Sequence, residues 1–463
     1  MKSIERLSAS FVIAAALAAP WIAGGRTDLK WVEGLAVLPA VACVLLLGVR
    51  RMEGQWLEVP TPAAILAIAL LGCLGFWALR PEPPFATAYA AEHWRFMESW
   101  NPASLLQLPR LVRFFFLGSV LLGFFAAIDL GRWEGFRRCL CGAIGIDGLA
   151  TTGYSLGERW LHWPSPSWVL TSEGRDAYTA TFFHHSTSAA AFDLAWPLLI
   201  FGGCLGLHRI LRAVCAVVAL GMGVAGLVLW EADSAYQIAG GLVAAALAWK
   251  YAIAVGRFRP WLVLAGIGLV LGVVFAWQVA SVIKLRTHYP DGWVNARVTE
   301  GQAPVRDALV RTRALTRGDH LVSSSAPPRP VAWLAAWRMA RDYPMMGLGP
   351  GAWVRKAILY SNEPIMNTFF QHRQFAHNDL YQTAAEWGVL PAIAWLLLWT
   401  GALYGAVRRS LPDPTEEMGL VLALLGMALH ATMHFPLQVP ALQLWVALLL
   451  GLGWSARQRS RLV

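Results

Sequence analysis

The stretch Trp261–Ile283, WLVLAGIGLVLGVVFAWQVASVI, decides the fold class because it runs without a single charged residue. A helix that crosses the hydrocarbon core of a bilayer needs about 20 predominantly apolar residues, and this stretch is long enough. Across the whole chain, 14% of the residues are charged and 57% are hydrophobic, whereas soluble domains are about a quarter charged. The sequence therefore predicts an all-α polytopic membrane protein.

Eleven further apolar runs resemble this stretch, so the sequence predicts twelve transmembrane helices. The other runs cover residues 7–24, 31–48, 61–79, 111–129, 139–156, 188–206, 213–230, 235–250, 386–407, 418–436 and 438–455. We predict transmembrane helices 1–9 in residues 1–284, a large external loop of short helices in 285–385, and helices 10–12 with a tail in 386–463.

The distribution of Lys and Arg predicts how these helices are oriented. Cytoplasmic connections carry the excess of basic residues, and long loops are exempt from this rule. With the N-terminus inside, 17 basic residues fall in cytoplasmic connections and seven in the short external ones, or eight with Arg113. Both termini are thus predicted to be cytoplasmic, and the 285–385 loop faces outward. Because so many basic residues act as topology signals, the net charge of +10 does not indicate nucleic-acid binding.

The external loop holds 12 of the 38 Lys and Arg residues. We predict one helix from Pro304 to Arg317 and a second from Pro330 to Arg341, which places Trp333, Trp337 and Ala340 on one face. A third helix begins near His377 and is predicted to continue through Trp387-Gly388 into the tenth span. Such helices would cover the outer surface of the membrane bundle.

His377-Asn378, at the predicted start of the third helix, is the sharpest candidate for catalysis. A helix N-terminus carries a partial positive charge that disfavours an imidazolium, so His377 would stay neutral near pH 7 and could accept a proton as a general base. The alternative is that His377 and Asn378 only cap the helix. Tyr381 follows one turn later on the same face.

Arginines of the loop are candidates for binding a pyrophosphate, because guanidinium groups pair with phosphate oxygens in a bidentate manner. The candidates are Arg329, Arg338 and Arg341, together with Arg306, Arg313 and Arg317. The alternative is a solvated basic face attracted to anionic lipid headgroups. The turn around Gly349, in Gly347–Gly351, could bring backbone N–H groups to a phosphate, or it could be only a sharp turn.

Polar residues in or near other predicted spans complete the candidates. Arg175 precedes the sixth span, and His430 and His434 lie near the outer end of the eleventh, where they could face one cavity or be ordinary buried histidines. Asp147 and Asp193 lie within spans, where a carboxyl group is costly unless it is paired or faces a cavity. No metal site is predicted, and the sequence contains no glycine-rich nucleotide-binding loop. We therefore expect this protein to function without a metal, a nucleotide or another cofactor.

Four of these segments resemble the O-antigen ligase and polymerase superfamily of bacterial inner-membrane glycosyltransferases. They are Arg175 with Thr181–Ser188, Arg329-Pro-Val-Ala-Trp333 through Gly347-Leu-Gly-Pro-Gly351, Ala376-His377-Asn378 with Gly388, and His430 through Phe435-Pro436 to Pro440. The chain departs from the family pattern where Ala235 replaces an arginine, His434 an aspartate and Pro391 a small residue.

The resemblance implies transfer of a glycan from undecaprenyl pyrophosphate to an acceptor hydroxyl on the periplasmic side. It implies that His377 deprotonates or orients the acceptor, while Arg329 and Arg175 hold the pyrophosphate. Lipid A core, a growing glycan chain and a protein hydroxyl remain open as acceptors, for a ligase, a polymerase and a protein O-oligosaccharyltransferase respectively. A lipid-linked glycan transporter is the non-enzymatic alternative, although the chain has no two similar halves and carries a long external loop.

Overall fold

A computed structural model describes most of the predicted helical segments. The described residues are 3–23, 29–79, 107–164, 181–182, 185–206, 208–230, 233–255, 259–288, 329–353, 357–360, 375–409 and 414–456. Arg175 and the predicted helix 304–317 with its three arginines lie outside these ranges, so the predictions for them stay predictions.

The described residues form fourteen α-helices. These are α1 (Ser3–Ala23), α2 (Leu29–Met52), α3 (Thr61–Leu79), α4 (Gln107–Leu130), α5 (Glu134–Trp160), α6 (His185–Phe201), α7 (Arg209–Trp230), α8 (Asp233–Ala254), α9 (Pro260–His288), α10 (Arg329–Asp342), α11 (Asp379–Trp387), α12 (Val389–Arg409), α13 (Pro414–Met433) and α14 (Pro440–Trp454). Short 3₁₀ helices cover Gly203–Gly206, Ala357–Tyr360 and Pro436–Gln438. The predicted all-α class is confirmed.

Four of the helices are long and apolar enough to cross a membrane. They contain the stretches Ser3–Ile22, Gly34–Met52, Trp261–Ile283 and Val389–Arg409. Shorter apolar helices lie within α3, α4, α6, α7, α8, α13 and α14. With α5, which covers residues 139–156, a helix lies at each of the twelve predicted segments, and this is a membrane protein. That the chain crosses the bilayer twelve times, with the predicted loop layout, stays a prediction.

The chain divides into two compact units. The first contains Met1–Ile68, Phe115–Leu269 and Leu396–Val463, and the second contains Ala69–Phe114 and Val270–Trp395. Each unit contains segments that are distant in sequence. The predicted division into three parts follows the order along the chain, and it stays a prediction.

Closely packed helices build the first unit. α1 packs against α2, α5 and α14, while α6 packs against both α5 and α13. Small residues allow the backbones to approach: a Cβ placed on Gly148 of α5 would lie 2.3 Å from the Cβ of Ala195 on α6. Such contacts are typical of helix packing within membranes, where small side chains let dispersion forces act between backbones.

Several arginines that the sequence assigns to topology also form buried ion pairs in the first unit. Arg50 lies 2.8 Å from Asp129 and 2.8 Å from Glu5. Glu417 on α13 pairs with both Arg137 and Arg409. These charges are buried together, so each pair offsets part of the cost of removing its members from water.

The second unit contains α10 and α11 packed against each other. Their shared core includes Trp333, Met339, Trp353 and Ala385, each with at most 1% of its surface exposed. The second predicted loop helix is confirmed within one residue at each end. Trp333 and Ala340 are buried, whereas Trp337, predicted on the same face, is 48% exposed. The nearly continuous buried surface of α10 leaves this position facing outward.

The prediction that the third loop helix continues into the tenth span is wrong. α11 ends at Trp387, and α12 begins at Val389. Gly388 between them has φ 100°, and a Cβ on it would lie 2.3 Å from the carbonyl oxygen of Met345. This left-handed backbone and the close approach of a neighbouring chain segment require glycine and end the helix.

Candidate functional site

The short helix α11 in the second unit positions the candidate site at its N-terminus. The side chain of Asn378 accepts a hydrogen bond from the backbone N–H of Tyr381 at 3.0 Å, as an N-cap residue does. Asp379 in the first turn favours the same start, because its negative charge lies near the partial positive charge of the helix end. The alternative interpretation of Asn378 as a helix cap is therefore correct for its carbonyl group.

His377 immediately precedes this cap and has an uncommon backbone conformation. Its φ is 52°, in the left-handed region that costs a non-glycine residue about 1–2 kcal/mol. The indole N–H of Trp333 donates to the carbonyl oxygen of His377 at 3.3 Å. His377 itself is only 7% exposed. Strained residues of this kind persist where their surroundings fix them, and they concentrate at functional sites.

An aromatic cluster lies against the His377 turn. The ring centroid of Trp333 is 6.2 Å from that of Tyr381 and 5.8 Å from that of Trp277, both edge to face. Phe275 lies 6.5 Å from Tyr381. Burial raises the pKa of Tyr381 to about 12, because the phenolate would lose its hydration. Tyr381 thus stays a neutral phenol near pH 7 and packs beside the site rather than acting as its base.

A stripe of polar side chains, spaced four residues apart, ties α11 to the segments around it. Asn378 donates from Nδ2 to the side-chain oxygen of Gln278 on α9 at 3.1 Å. Gln382 accepts from the backbone N–H of Ala376 at 2.9 Å, and Glu386 accepts from that of Trp353 at 3.1 Å. The amide of Gln382 also donates to Glu386 at 3.3 Å. This network holds the chain on both sides of His377.

The glycine-rich turn packs against the other end of α11. The backbone N–H of Leu348 donates to Ala385 at 3.0 Å, and that of Gly349 donates to the carbonyl oxygen of Glu386 at 2.8 Å. The N–H of Gly347 is similarly bonded to Tyr343 at 2.9 Å. These three N–H groups are already hydrogen bonded, which favours the interpretation as a sharp turn; the predicted phosphate contact of Gly349 stays a prediction.

The three described arginine candidates lie at separate points of α10. At 100° and about 1.5 Å per residue, Arg338 lies on the opposite side of the helix from Arg329 and about 14 Å further along. Arg338 is 3% exposed and donates to the carbonyl oxygen of Tyr360 at 3.1 Å. Arg341 pairs with its exposed neighbour Asp342 at 3.2 Å. The helix therefore does not place the three arginines side by side, and their predicted contacts with a pyrophosphate stay predictions.

Arg329 is the candidate placed toward His377. It occupies the first position of α10, one turn before Trp333 on the same helix face. Trp333 in turn donates to the carbonyl oxygen of His377. The fold therefore brings the Arg329 end of α10 and the His377 turn into one neighbourhood.

A family model described as O-antigen ligase matches residues 216–396. Residues 216–396 are therefore similar to the O-antigen ligase family. The match confirms the predicted resemblance, and the matched residues contain both Arg329 and His377. No curated protein matches the chain.

His430 lies beyond the residues matched to the O-antigen ligase family and in the first unit. It is completely buried on α13, and its Nε2 lies 2.8 Å from a carboxylate oxygen of Asp193 on α6. The ring of His434 lies 5.8 Å from that of His430. This pairing favours the interpretation of His430 as a buried, hydrogen-bonded histidine. Its predicted role in substrate binding stays a prediction.

Gln278, Gln382 and Glu386, within the matched residues, were not predicted as part of the site. The spacing of Asn378, Gln382 and Glu386 could have indicated the polar stripe, since residues four apart face the same way on a helix. Gln278 gave a weaker signal, as one amide in an otherwise apolar span. Its partner lies 100 residues further along the chain, and periodicity cannot predict such a contact.

Proposed function

We propose that this protein is a metal- and nucleotide-independent glycosyltransferase of the bacterial inner membrane, with both termini in the cytoplasm and the His377 site facing the periplasm. It transfers a glycan from undecaprenyl pyrophosphate to an acceptor hydroxyl, as an O-antigen ligase would. The observation that carries the proposal is the strained, buried turn at His377 within the matched domain. His162 has a similar φ but is exposed, so the combination of this backbone with burial distinguishes His377 from a surface histidine.

The proposed reaction is a displacement at the anomeric carbon of the donor. His377 accepts the proton of the acceptor hydroxyl as the acceptor oxygen forms a bond to that carbon. The bond between the anomeric carbon and the pyrophosphate oxygen breaks, and undecaprenyl pyrophosphate leaves with the electron pair. A positioned general base contributes about 10²–10⁴-fold to such a step.

Arg329 is the proposed ligand of the leaving pyrophosphate. It lies one turn before Trp333, whose indole contacts the carbonyl oxygen of His377, and its guanidinium keeps its charge at any relevant pH. Negative charge develops on the leaving group as the bond breaks, and a fixed cation stabilises that charge. Arg338 and Arg341 are not part of this proposed pyrophosphate site.

Replacing His377 with Asn tests the proposal, because asparagine tolerates the left-handed backbone but cannot act as the base. A strain deleted for this protein would be complemented with the wild type, with His377→Asn, and with His162→Asn as the matched control. His162 is an exposed histidine with φ 53°. We expect the transfer rate to fall about 10²–10⁴-fold for His377→Asn and to be unchanged for His162→Asn. Wild-type transfer by His377→Asn would overturn the proposed role.

The same strains identify the acceptor when their glycans are separated by electrophoresis. Loss of a ligase leaves no glycan on the lipid A core, and this is the expected profile. Loss of a polymerase leaves single repeats on the core, and loss of a protein O-oligosaccharyltransferase shifts glycoproteins instead. Loss of glycan from the core with the donor retained on the cytoplasmic face, rather than accumulated on the periplasmic face, would indicate a transporter.

A further inference from the structure

Gln278 of α9 is a buried amide in an apolar stretch. It is 1% exposed, whereas its neighbours Val273, Phe275 and Trp277 are between 47% and 59% exposed. Burying an amide is unfavourable unless it is hydrogen bonded. Gln278 accepts the hydrogen bond from Nδ2 of Asn378, which is itself fully buried. Insertion of α9 into a membrane thus does not explain why an amide lies at this position.

The partner of Gln278 is the residue that fixes the backbone after His377. Asn378 uses its amide nitrogen for Gln278 and its carbonyl oxygen for the backbone N–H of Tyr381. The preceding carbonyl group, that of His377, accepts from Trp333. The left-handed turn is therefore held from α9 through Gln278, from α10 through Trp333, and from α11 through its own cap.

We infer that Gln278 is a positioning residue for catalysis, which orients His377 through Asn378. The inference rests on the proposed function of His377. Without the Gln278 oxygen, the Asn378 side chain keeps its cap bond to Tyr381 but loses one of the contacts that fix its rotation, and the His377 turn can relax from its left-handed conformation. A displacement of about 1 Å in a catalytic group can reduce the rate by about 10²-fold.

Three variants on the same helix test this inference. Gln278→Leu removes the acceptor oxygen at similar size, and Gln278→Glu restores an acceptor oxygen whether the new carboxyl group is ionised or neutral. Ser281→Ala is the matched control, because the Ser281 hydroxyl bonds within its own helix to the carbonyl oxygen of Trp277 at 2.8 Å. Each purified variant would be assayed with undecaprenyl-pyrophosphate-linked glycan and lipid A core from the deletion strain.

We expect Gln278→Leu to lower kcat about 10- to 100-fold with little change in KM. Gln278→Glu should recover most of kcat, and Ser281→Ala should match the wild type. Wild-type kcat in a folded Gln278→Leu protein overturns the inference. Failure of Gln278→Leu to fold, with Gln278→Glu folded but as slow as His377→Asn, also overturns it. If His377→Asn itself keeps full activity, the proposed function fails instead, so the two failures are distinguishable.

Discussion

The histidines at positions 377 and 430 are both buried, yet the two units hold them in different ways. His430 is fixed through its ring, since Nε2 contacts the carboxylate of Asp193 at 2.8 Å inside paired helices. His377 is fixed through its main chain, by the indole of Trp333 on its carbonyl group and by the cap that follows it. The contact of the His430 ring with Asp193 joins α13 to α6. The contacts of the His377 main chain instead set the direction of its ring.

This difference favours a packing role for His430 and is consistent with the chemical role proposed for His377. The sequence treats both histidines as candidates for one site. In the structure, His430 offsets the cost of a buried carboxyl group, while the His377 turn retains a backbone conformation that itself costs free energy. For the first unit the predictions concern a side-chain pair, and for the second unit they concern the main chain.

The largest expected effect on stability comes from breaking the His430 pair. His430→Ala leaves Asp193 buried without its imidazole partner, and removing one member of a buried pair costs about 3–5 kcal/mol. Thermal unfolding in detergent and the yield of monodisperse protein would measure the loss. The double variant Asp193→Leu with His430→Leu should recover only part of it, because the buried indole of Trp196, which also bonds to Asp193, then loses its acceptor. If His430→Ala is as stable as the wild type but inactive, His430 acts on substrate.

A variant of Gly388, between α11 and α12, should reduce the stability less than His430→Ala does. Gly388→Ala places a Cβ at φ 100° and 2.3 Å from the carbonyl oxygen of Met345. We expect a loss of about 1–3 kcal/mol, measured by thermal unfolding. Gly34→Ala serves as the control, because a Cβ there meets no atom within 4 Å, and it should be neutral or slightly stabilising. A neutral Gly388→Ala would contradict the account of why α11 ends at this residue.

The fold class and the helix positions could be predicted from the sequence because apolar run length is a local property. The twelve predicted segments each coincide with a helix, and α10 begins and ends within one residue of its prediction. The break at Gly388 could not be predicted in this way. Its cause is the backbone of Met345, 43 residues earlier, and the apolar pattern continues across it.

The candidate site was predictable only in part, for a related reason. His377, Asn378 and Arg329 stood out because of their residue types and positions at helix starts. The cap contact of Asn378 with Tyr381 is local, but its bond to Gln278 and the bond of Gly349 to the carbonyl oxygen of Glu386 were not predictable. Both contacts join distant parts of the chain, so the sequence left alternatives that only packing could decide between.

The smallest effect is expected for a variant of Trp77. It tests whether several hydrogen-bond donors together fix the main chain in the second unit. Trp77 of α3 donates from its indole to the carbonyl oxygen of Met346 at 2.7 Å, as Trp333 does to His377. Trp77→Phe keeps most of the ring and removes this donor, so we expect a loss of about 1 kcal/mol with a measurable decrease in the melting temperature. Trp337→Phe is the control, because Trp337 is 48% exposed, and it should be nearly neutral. If Trp77→Phe lowers the stability as much as His430→Ala, the arrangement is not distributed. A single donor would then contribute as much as the pair of Asp193 and His430.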